Sequence, residues 1–593
     1  RLASIHNILQ KFRNKSSAFA CDIRLAYNQI QLAPEHMRYQ KFLWSDQLSP
    51  ENPPEPYIIT TLIYGVKPAG NSLQAGFDKL SKHCRDTYPE HASGADALSK
   101  SAYVDDVCRS DDSPEESKKT AASLDFVLSQ AGMEVKGYTF SGQPPPAEVS
   151  ANGESIGLVG MAWFPEKDEI SLEIKPLYFG KAKRGKLPPP VEGDIRPHLA
   201  KNFTRRNLLG KVAGIFDPLG LVTPISARLK LDLHDLVELK MDWDTLVPDS
   251  YLEQWVKNIE DIQDLREIRF RRTIIPEDAV NTDVELVVSA DASQFIAIAC
   301  IHARVKRKNG LFSSQLISAK SKLVKEHTIP KGELRAAVLA THLAHAAKFN
   351  LGSQFKSAMY ITDSSIALFW INLDTRPLNV TVRNCVVDIR RFSSPSQWYH
   401  IESALNIADI GTRYAEVSET GPQSNWQNGM PWMSMEKEKM PIKTMEQIKM
   451  SQEDSRIASQ EIKNNNVSGI VLPMLVTKVA DRYAKMKYIY DPNKYGWKRS
   501  VTIVSIMLKF ITVIHPGFKP EWEPRPSPDN DSVVLYRGEA PVLRQLDLQR
   551  GERYFFALGT KEVERFATAK ELQDTVNRMV FYIMPVEFLM ERK

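Results

Sequence analysis

Cysteine is scarce: five in 593 residues (Cys21, Cys84, Cys108, Cys300 and Cys385), with no CxxC pair. A disulfide framework is thereby excluded, and a structural zinc module is disfavoured. Long hydrophobic runs are missing too. The longest, Ser500 to Ile514, carries Lys509 and falls short of the roughly 20 residues a helix needs to cross a bilayer. No signal peptide opens the chain and no internal repeat runs through it. The sequence starts at Arg1 in mid-pattern, so it reads as a fragment of something longer. Neither sign of charge dominates, the net being +5. What is present is an ordinary globular mix, 42% apolar and 25% charged, long enough for several domains rather than one core.

Positive charge is unevenly placed. Arg1–Trp44 carries seven Lys/Arg against two acids, and Lys175–Lys211 ten against two. Arg304-Val305-Lys306-Arg307-Lys308 forms a third cluster. Such stretches suit a polyanion that runs across several domains, although a solvated surface is the plainer reading of any one of them. Pro144-Pro145-Pro146 and Pro188-Pro189-Pro190 mark extended connectors. The pattern turns helical between Arg205 and Leu239, broken at the turn Phe216-Asp217-Pro218-Leu219-Gly220. A new unit begins near Val284, a polar aperiodic stretch follows it, and a last small unit closes the chain.

Two constellations of acids carry the chemistry. In the first, the apolar run Phe19-Ala20-Cys21 ends at Asp22, Tyr27 lies five residues on, and Tyr103-Val104-Asp105-Asp106 sits between β-formers. Adjacent acids in mid-strand point to opposite faces, but at a hairpin tip they project together. Acids framed by apolar residues suggest a bound cation. Two Mg²⁺ ions about 4 Å apart are the usual device for in-line phosphoryl transfer. Asp22 and Asp105 are the expected principal ligands and Asp106 a secondary one. An exposed turn is the alternative for Asp-Asp alone.

The second constellation orders four acids on alternating elements. Asp291 ends a strand-like run from Val284, Glu333 opens a helix after Ile329-Pro330, Asp363 ends the run Met359-Tyr360-Ile361-Thr362, and Asp409 starts a helix in Asn406-Ile407-Ala408-Asp409. Any one of these could be a turn former; the order and setting of all four point to a second site with two Mg²⁺.

These strings resemble the pol polyprotein of long-terminal-repeat retrotransposons of the BEL/Pao family. Asp22 to Trp44, Tyr64-Gly65-Val66-Lys67-Pro68-Ala69-Gly70-Asn71, Tyr103 to Asp106, Gly132-Met133-Glu134-Val135-Lys136 and Leu158-Val159-Gly160-Met161-Ala162-Trp163 are similar to successive reverse transcriptase palm motifs. Phe203 to Lys211 and Ile215 to Pro224 are similar to the segment after that palm. The four acids are similar to those of ribonuclease H. Tyr488 to Arg499 and Tyr554 to Val563 resemble the stretch leading into the integrase.

The resemblance implies a multidomain α/β and α+β fold. It comprises a palm at 1–165 with its fingers mostly missing, a thumb/connection region of Pao type at 166–275 and an RNase H-like domain at 283–415. A linker at 416–469 and a pre-integrase α+β unit at 470–593 complete it. It implies RNA-directed DNA polymerisation through Asp22, Asp105 and Asp106, and RNase H cleavage of hybrids through Asp291, Glu333, Asp363 and Asp409. Each site would hold two Mg²⁺, with Mn²⁺ as a substitute. Tyr27 becomes a steric gate against a 2′-hydroxyl, Gly70 and Tyr103 contact the substrate, and Lys136 lies near the triphosphate. His400 sits in a strand-like run and takes no catalytic role. The implied partners are RNA template, DNA primer, RNA–DNA hybrid and deoxynucleoside triphosphates. Protease and integrase are expected elsewhere in the polyprotein, since no Asp-Thr-Gly or Asp-Ser-Gly triplet occurs. The implied location is cytoplasmic, in a virus-like particle, or nuclear, with no membrane. Two other readings stand beside this one: a polymerase-dead ribonuclease H, and a non-catalytic nucleic-acid-binding relic.

Overall fold

The computed structural model describes residues 3–46, 53–150, 152–179, 189–280, 284–325, 328–352 and 355–462, and a two-stranded ladder of Val533–Val534 with Leu543–Arg544. The chain divides into two units, Arg1–Lys463 and Asn464–Lys593. Beyond that short ladder, the region expected to lead into an integrase lies outside the described residues, as does the apolar run Ser500 to Ile514. Among the described residues no helix is long and apolar enough to cross a membrane.

Helix α1 (Ile5–Phe12) leads into β1 (Ser17–Ile23). With β2 (Ala102–Tyr103), β3 (Asp106–Asp111) and β4 (Val135–Phe140), it forms an antiparallel sheet in the order β2-β3-β1-β4. Alternation along β1 splits its side chains between two cores. Phe19, Cys21 and Ile23 pack with Leu73, Phe77, Leu98 and Leu124 of the covering helices. Ala18 and Ala20 face the other way, toward Ile8, Leu9 and Phe12 of α1. A second antiparallel sheet joins β5 (Ile156–Leu158), β6 (Met161–Phe164), β7 (Glu169–Leu172) and β8 (Phe270–Arg271).

Helix α2 (Thr223–Glu238) falls in sequence between β7 and β8. It lies on the third sheet, made of β9 (Val284–Ala292), β10 (Ile296–Lys306), β11 (Phe312–Leu323), β12 (Phe355–Thr362) and β13 (Trp398–His400). The order is β11-β10-β9-β12-β13, with β9, β10 and β11 antiparallel and β9, β12 and β13 parallel. The nearly unbroken apolar run of β9 fits a strand covered on both faces. Ala227 and Leu231 of α2 pack on Ile296 and Ile298. On the opposite face, Leu334, Ala337 and Ala340 of helix α3 (Ile329–Leu351) pack on Ala290, Ala292 and Ala299.

The turn Phe216–Gly220 is a seat for the sheet. Both carboxylate oxygens of Asp217 accept backbone N–H groups, from Leu221 at 2.8 Å and Val222 at 2.9 Å. The N–H of Ala319 in β11 donates to Leu219 O at 2.9 Å. Gly220 has φ +72°, and a Cβ there would lie 1.8 Å from Ala319 O. Only glycine permits both the left-handed conformation and the close approach.

Two expectations are corrected here. Residues 416–462 are not a linker. Trp426, Trp432 and Met433 are buried in the same core as β1 and β10 residues, and Trp426 Nε1 donates to Leu221 O at 2.7 Å. Helix Gln452–Gln460 returns to the Ser365–Asn372 helix, where Trp370 Nε1 donates to Ala458 O at 3.1 Å. The stretch lacks a period because isolated indoles in short turns, not a helical stripe, make its contacts. The Arg304–Lys308 cluster is likewise not a free basic patch. Arg304 is buried against Met433 O and Glu285, Lys306 pairs with Glu436 at 3.0 Å, and Arg307 with Asp278 at 2.8 Å.

A buried arginine pair ties the first and third sheets together. Arg13, just after α1, donates to the carbonyls of Arg271, Arg272, Leu316 and Ile317. Arg272 binds both oxygens of Asp168, at 2.6 and 2.8 Å, and the carbonyls of Phe12, Lys15 and Ser16.

Candidate active site

The third sheet gathers acids at one edge because β9 and β12 run parallel and both end there. Asp291 is the penultimate residue of β9, Asp363 follows β12, and Glu333 lies in the first turns of α3. A Cβ at Gly332 would make ordinary contact with the Ala292 side chain, at 3.4 Å, so α3 packs directly beside the end of β9. One ligand atom from each of Asp291, Glu333 and Asp363 lies within 4.8 Å of the others. No other such group of acids, histidines or cysteines occurs among the described residues.

Asp291 and Glu333 are buried, and Glu333 Oε2 has no hydrogen-bond partner. Burial pushes both carboxyls above the ordinary range, and the neighbouring carboxylates push further. A cation at the centre would remove both penalties at once, so the donor set fits a divalent ion bound by oxygens.

The fourth acid stands slightly apart. Asp409 opens helix α4 (Asp409–Thr412), outside the tight trio, and pairs with Arg413 at 3.5 Å. It still acts on Asp291 through space, and burial raises its own carboxyl. Two residues with no role assigned from sequence hold the acids. Thr412 Oγ1 donates to Asp291 Oδ2, and Asn406 Nδ2 donates to Asp363 Oδ1 at 3.2 Å and Ala290 O at 3.0 Å. Thr412 lies three residues after Asp409 on the same short helix, and Asn406 lies in the extended turn just before it. His400 ends β13 with its ring on the backbone of Asp363, and burial lowers its basicity.

The first constellation is assembled differently. Asp22 lies opposite Asp106 in the β1–β3 register, and Asp105 sits in the β2–β3 turn after Val104, whose φ is 58°. The pair thus lies at a hairpin tip, and Asp105 and Asp106 both have raised carboxyls, Asp106 to about 6, through burial first, with Asp22 repelling both and Asp105 repelling Asp106. The three acids do not converge as the other trio does. Lys136 Nζ lies 2.9 Å from Asp22 Oδ1, and Asp106 Oδ2 accepts the Val159 N–H at 3.3 Å. Lys136 thus stands on an acid, not free beside it. Tyr27 and Tyr64 meet edge to face at 5.2 Å, and Asp105 acts on the Tyr27 hydroxyl through space. Tyr103 is half-buried in β2, and Gly70 is the second residue of the Ala69–Thr87 helix.

Basic residues of the Arg205–Ala213 helix are engaged within the chain. Arg205 stacks on Trp243 at 4.7 Å and donates to Met241 O, and Arg206 pairs with Asp244 at 2.8 Å.

Among curated proteins none matches the sequence. Two solved structures are similar. One is the foamy viral protease-reverse transcriptase with an RNA/DNA hybrid, at TM-score 0.40 and 12% identity, covering 68% of this chain and 45% of that one. The other is the foamy viral protease-reverse transcriptase dRH with double-stranded DNA, at TM-score 0.36 and 14% identity, covering 61% and 53%. The chain thus spans about half the length of these solved chains. Residues 204–364 match the family described as the Pao retrotransposon-like RNaseH-like domain. That span runs from the N-cap of the Arg205–Ala213 helix to just past Asp363, uniting the helices with the sheet they support. The likeness to a Pao retrotransposon-like RNaseH-like domain therefore takes in Asp291, Glu333 and Asp363 and stops short of Asp409.

Proposed function

We propose that residues 283–415 hydrolyse the RNA strand of RNA–DNA hybrids. The observation that carries this is the convergence of Asp291, Glu333 and Asp363 in a buried, unsatisfied pocket. Asp291, Glu333, Asp363 and Asp409 would hold two Mg²⁺, which when bound supply Lewis acidity for water attack on a phosphodiester. Thr412 and Asn406 keep two of these carboxylates aimed into the pocket. The RNA strand would be told from DNA by its 2′-hydroxyls.

A second reading keeps the polymerase. Asp22 opposite Asp106, with Asp105 at the hairpin tip and Tyr27 beside it, supports RNA-directed DNA synthesis from deoxynucleoside triphosphates at residues 1–165. The region 166–275 then serves as thumb and connection. For that site to load metal, Lys136 must leave Asp22. The cleavage reading is the better supported, because its acids already stand together.

Both readings are tested on one sample. With Mg²⁺, the chain should cut the RNA of a hybrid, and Asp363→Asn should lower the rate by at least about a hundredfold with hybrid binding retained. Equal cleavage by the two would end the first reading. Primer extension on an RNA template tests the second, and its absence alongside cleavage leaves a ribonuclease H alone.

A further inference from the structure

A cavity of about 550 Å³ opens where the start of α1, the Phe216–Gly220 turn, α2, β11 and α3 meet. It is separate from the acid pocket. His342, which lines it, is nine residues beyond Glu333 on α3, or about 13 Å along a helix rising 1.5 Å per residue.

The cavity wall is basic. Lys230 of α2 and Lys320 of β11 both line it, together with His6 and the hydroxyls of Thr223, Ser226 and Ser321. Lys230 Nζ donates to Ser321 Oγ at 2.7 Å. Neither lysine has a carboxylate within ion-pairing distance among the described residues. The wall's one acid, Asp217, is committed to the N–H groups of Leu221 and Val222. His342 is held by Asp388 at 2.8 Å. His6 Nδ1 lies 2.9 Å from Pro218 O. Burial and the nearby Lys320 make protonation harder at both Lys230 and His6, although Asp217 favours the Lys230 ammonium. Two neighbouring lysines flanked by hydroxyl groups, in a recess large enough for a ligand, match the donor set that oxyanions favour.

We infer that this cavity binds a phosphate group between Lys230 and Lys320, with Thr223 donating to its oxygens. Two sources share that chemistry, a small phosphate compound and the backbone of a nucleic-acid strand. Calorimetric titration of the intact chain with inorganic phosphate, at constant ionic strength against chloride, tests the site. A short RNA–DNA hybrid forms the second arm. Lys230→Met and Lys320→Met should each weaken phosphate binding about tenfold, and Lys230→Arg and Lys320→Arg should largely keep it. If the same Met variants also weaken the hybrid, the source is a strand; if they leave it untouched, the source is a small compound. Lys320 is exposed, so Lys320→Met keeps the test valid even if Lys230→Met unfolds. No phosphate binding by the intact chain, or binding by Lys320→Met as tight as that of the intact chain, overturns the inference.

Discussion

Asp291 shows how much depends on single partners at the residue scale. Its carboxylate is buried beside two others, a position that repulsion alone would open. Thr412 Oγ1 holds one of its oxygens, Oδ2. Thr412→Val keeps the shape and removes the donor. Cleavage of a hybrid by this variant should fall about 10- to 100-fold, with hybrid affinity unchanged, as for partners that orient metal ligands elsewhere. Steady-state rates at saturating Mg²⁺ check it; an unchanged rate would show that Thr412 does not orient the acid. Sequence reading identified Asp291, Glu333 and Asp363 because each sits where a strand or helix boundary can be read. It assigned no role to Thr412 or Asn406, since a hydroxyl and an amide acquire roles only from what they face.

At the scale of elements, the segment 416–462 is the clearest case of tertiary override. Its polar, aperiodic composition reads as a connector, yet its indoles fill gaps left by β10, α2 and the Phe216–Gly220 turn. His302 in β10 records this docking. It is fully buried, Nε2 lies 2.8 Å from Trp426 O, and burial lowers its pKa from 6.5 to about 4. The unfolded chain therefore takes up a proton below pH 6.5 while the folded chain does not. Stability is fully present above 6.5 and is lost as pH falls toward 4. Between pH 7 and pH 5 this group should remove about 2 kcal/mol. Urea melts at both pH values should show that the intact chain loses more than His302→Gln by roughly this amount; equal losses would mean the imidazole is not sequestered.

At the scale of the molecule, α1 and the Arg13–Arg272 pair bind the first and third sheets into one unit, Arg1–Lys463. Arg272 alone satisfies three carbonyls and a carboxylate. Replacing it by Met strands Asp168, whose remaining side-chain partner is Trp163 Nε1 at 3.1 Å. The expected cost is about 3–5 kcal/mol, the range for breaking a buried ion pair. Urea denaturation followed by tryptophan fluorescence measures it, and a loss below about 1 kcal/mol would show that the junction is held elsewhere. The same junction carries Gly220, so substitutions there would act on the sheet through the turn.

Sequence alone determined which acids could matter and on which kinds of element they stand. Apolar runs ending in Asp and a helix opening near Glu are local patterns, legible without neighbours. Only the tertiary structure decided which acids meet. Parallel β9 and β12 bring Asp291 and Asp363 to one edge and α3 delivers Glu333, whereas Lys136 of the neighbouring strand β4 and the Val159 N–H in the β5–β6 turn occupy Asp22 and Asp106. Packing across hundreds of residues leaves no local period to read, and for that reason the role of the 416–462 segment and of both buried arginines appeared only once the chain was folded.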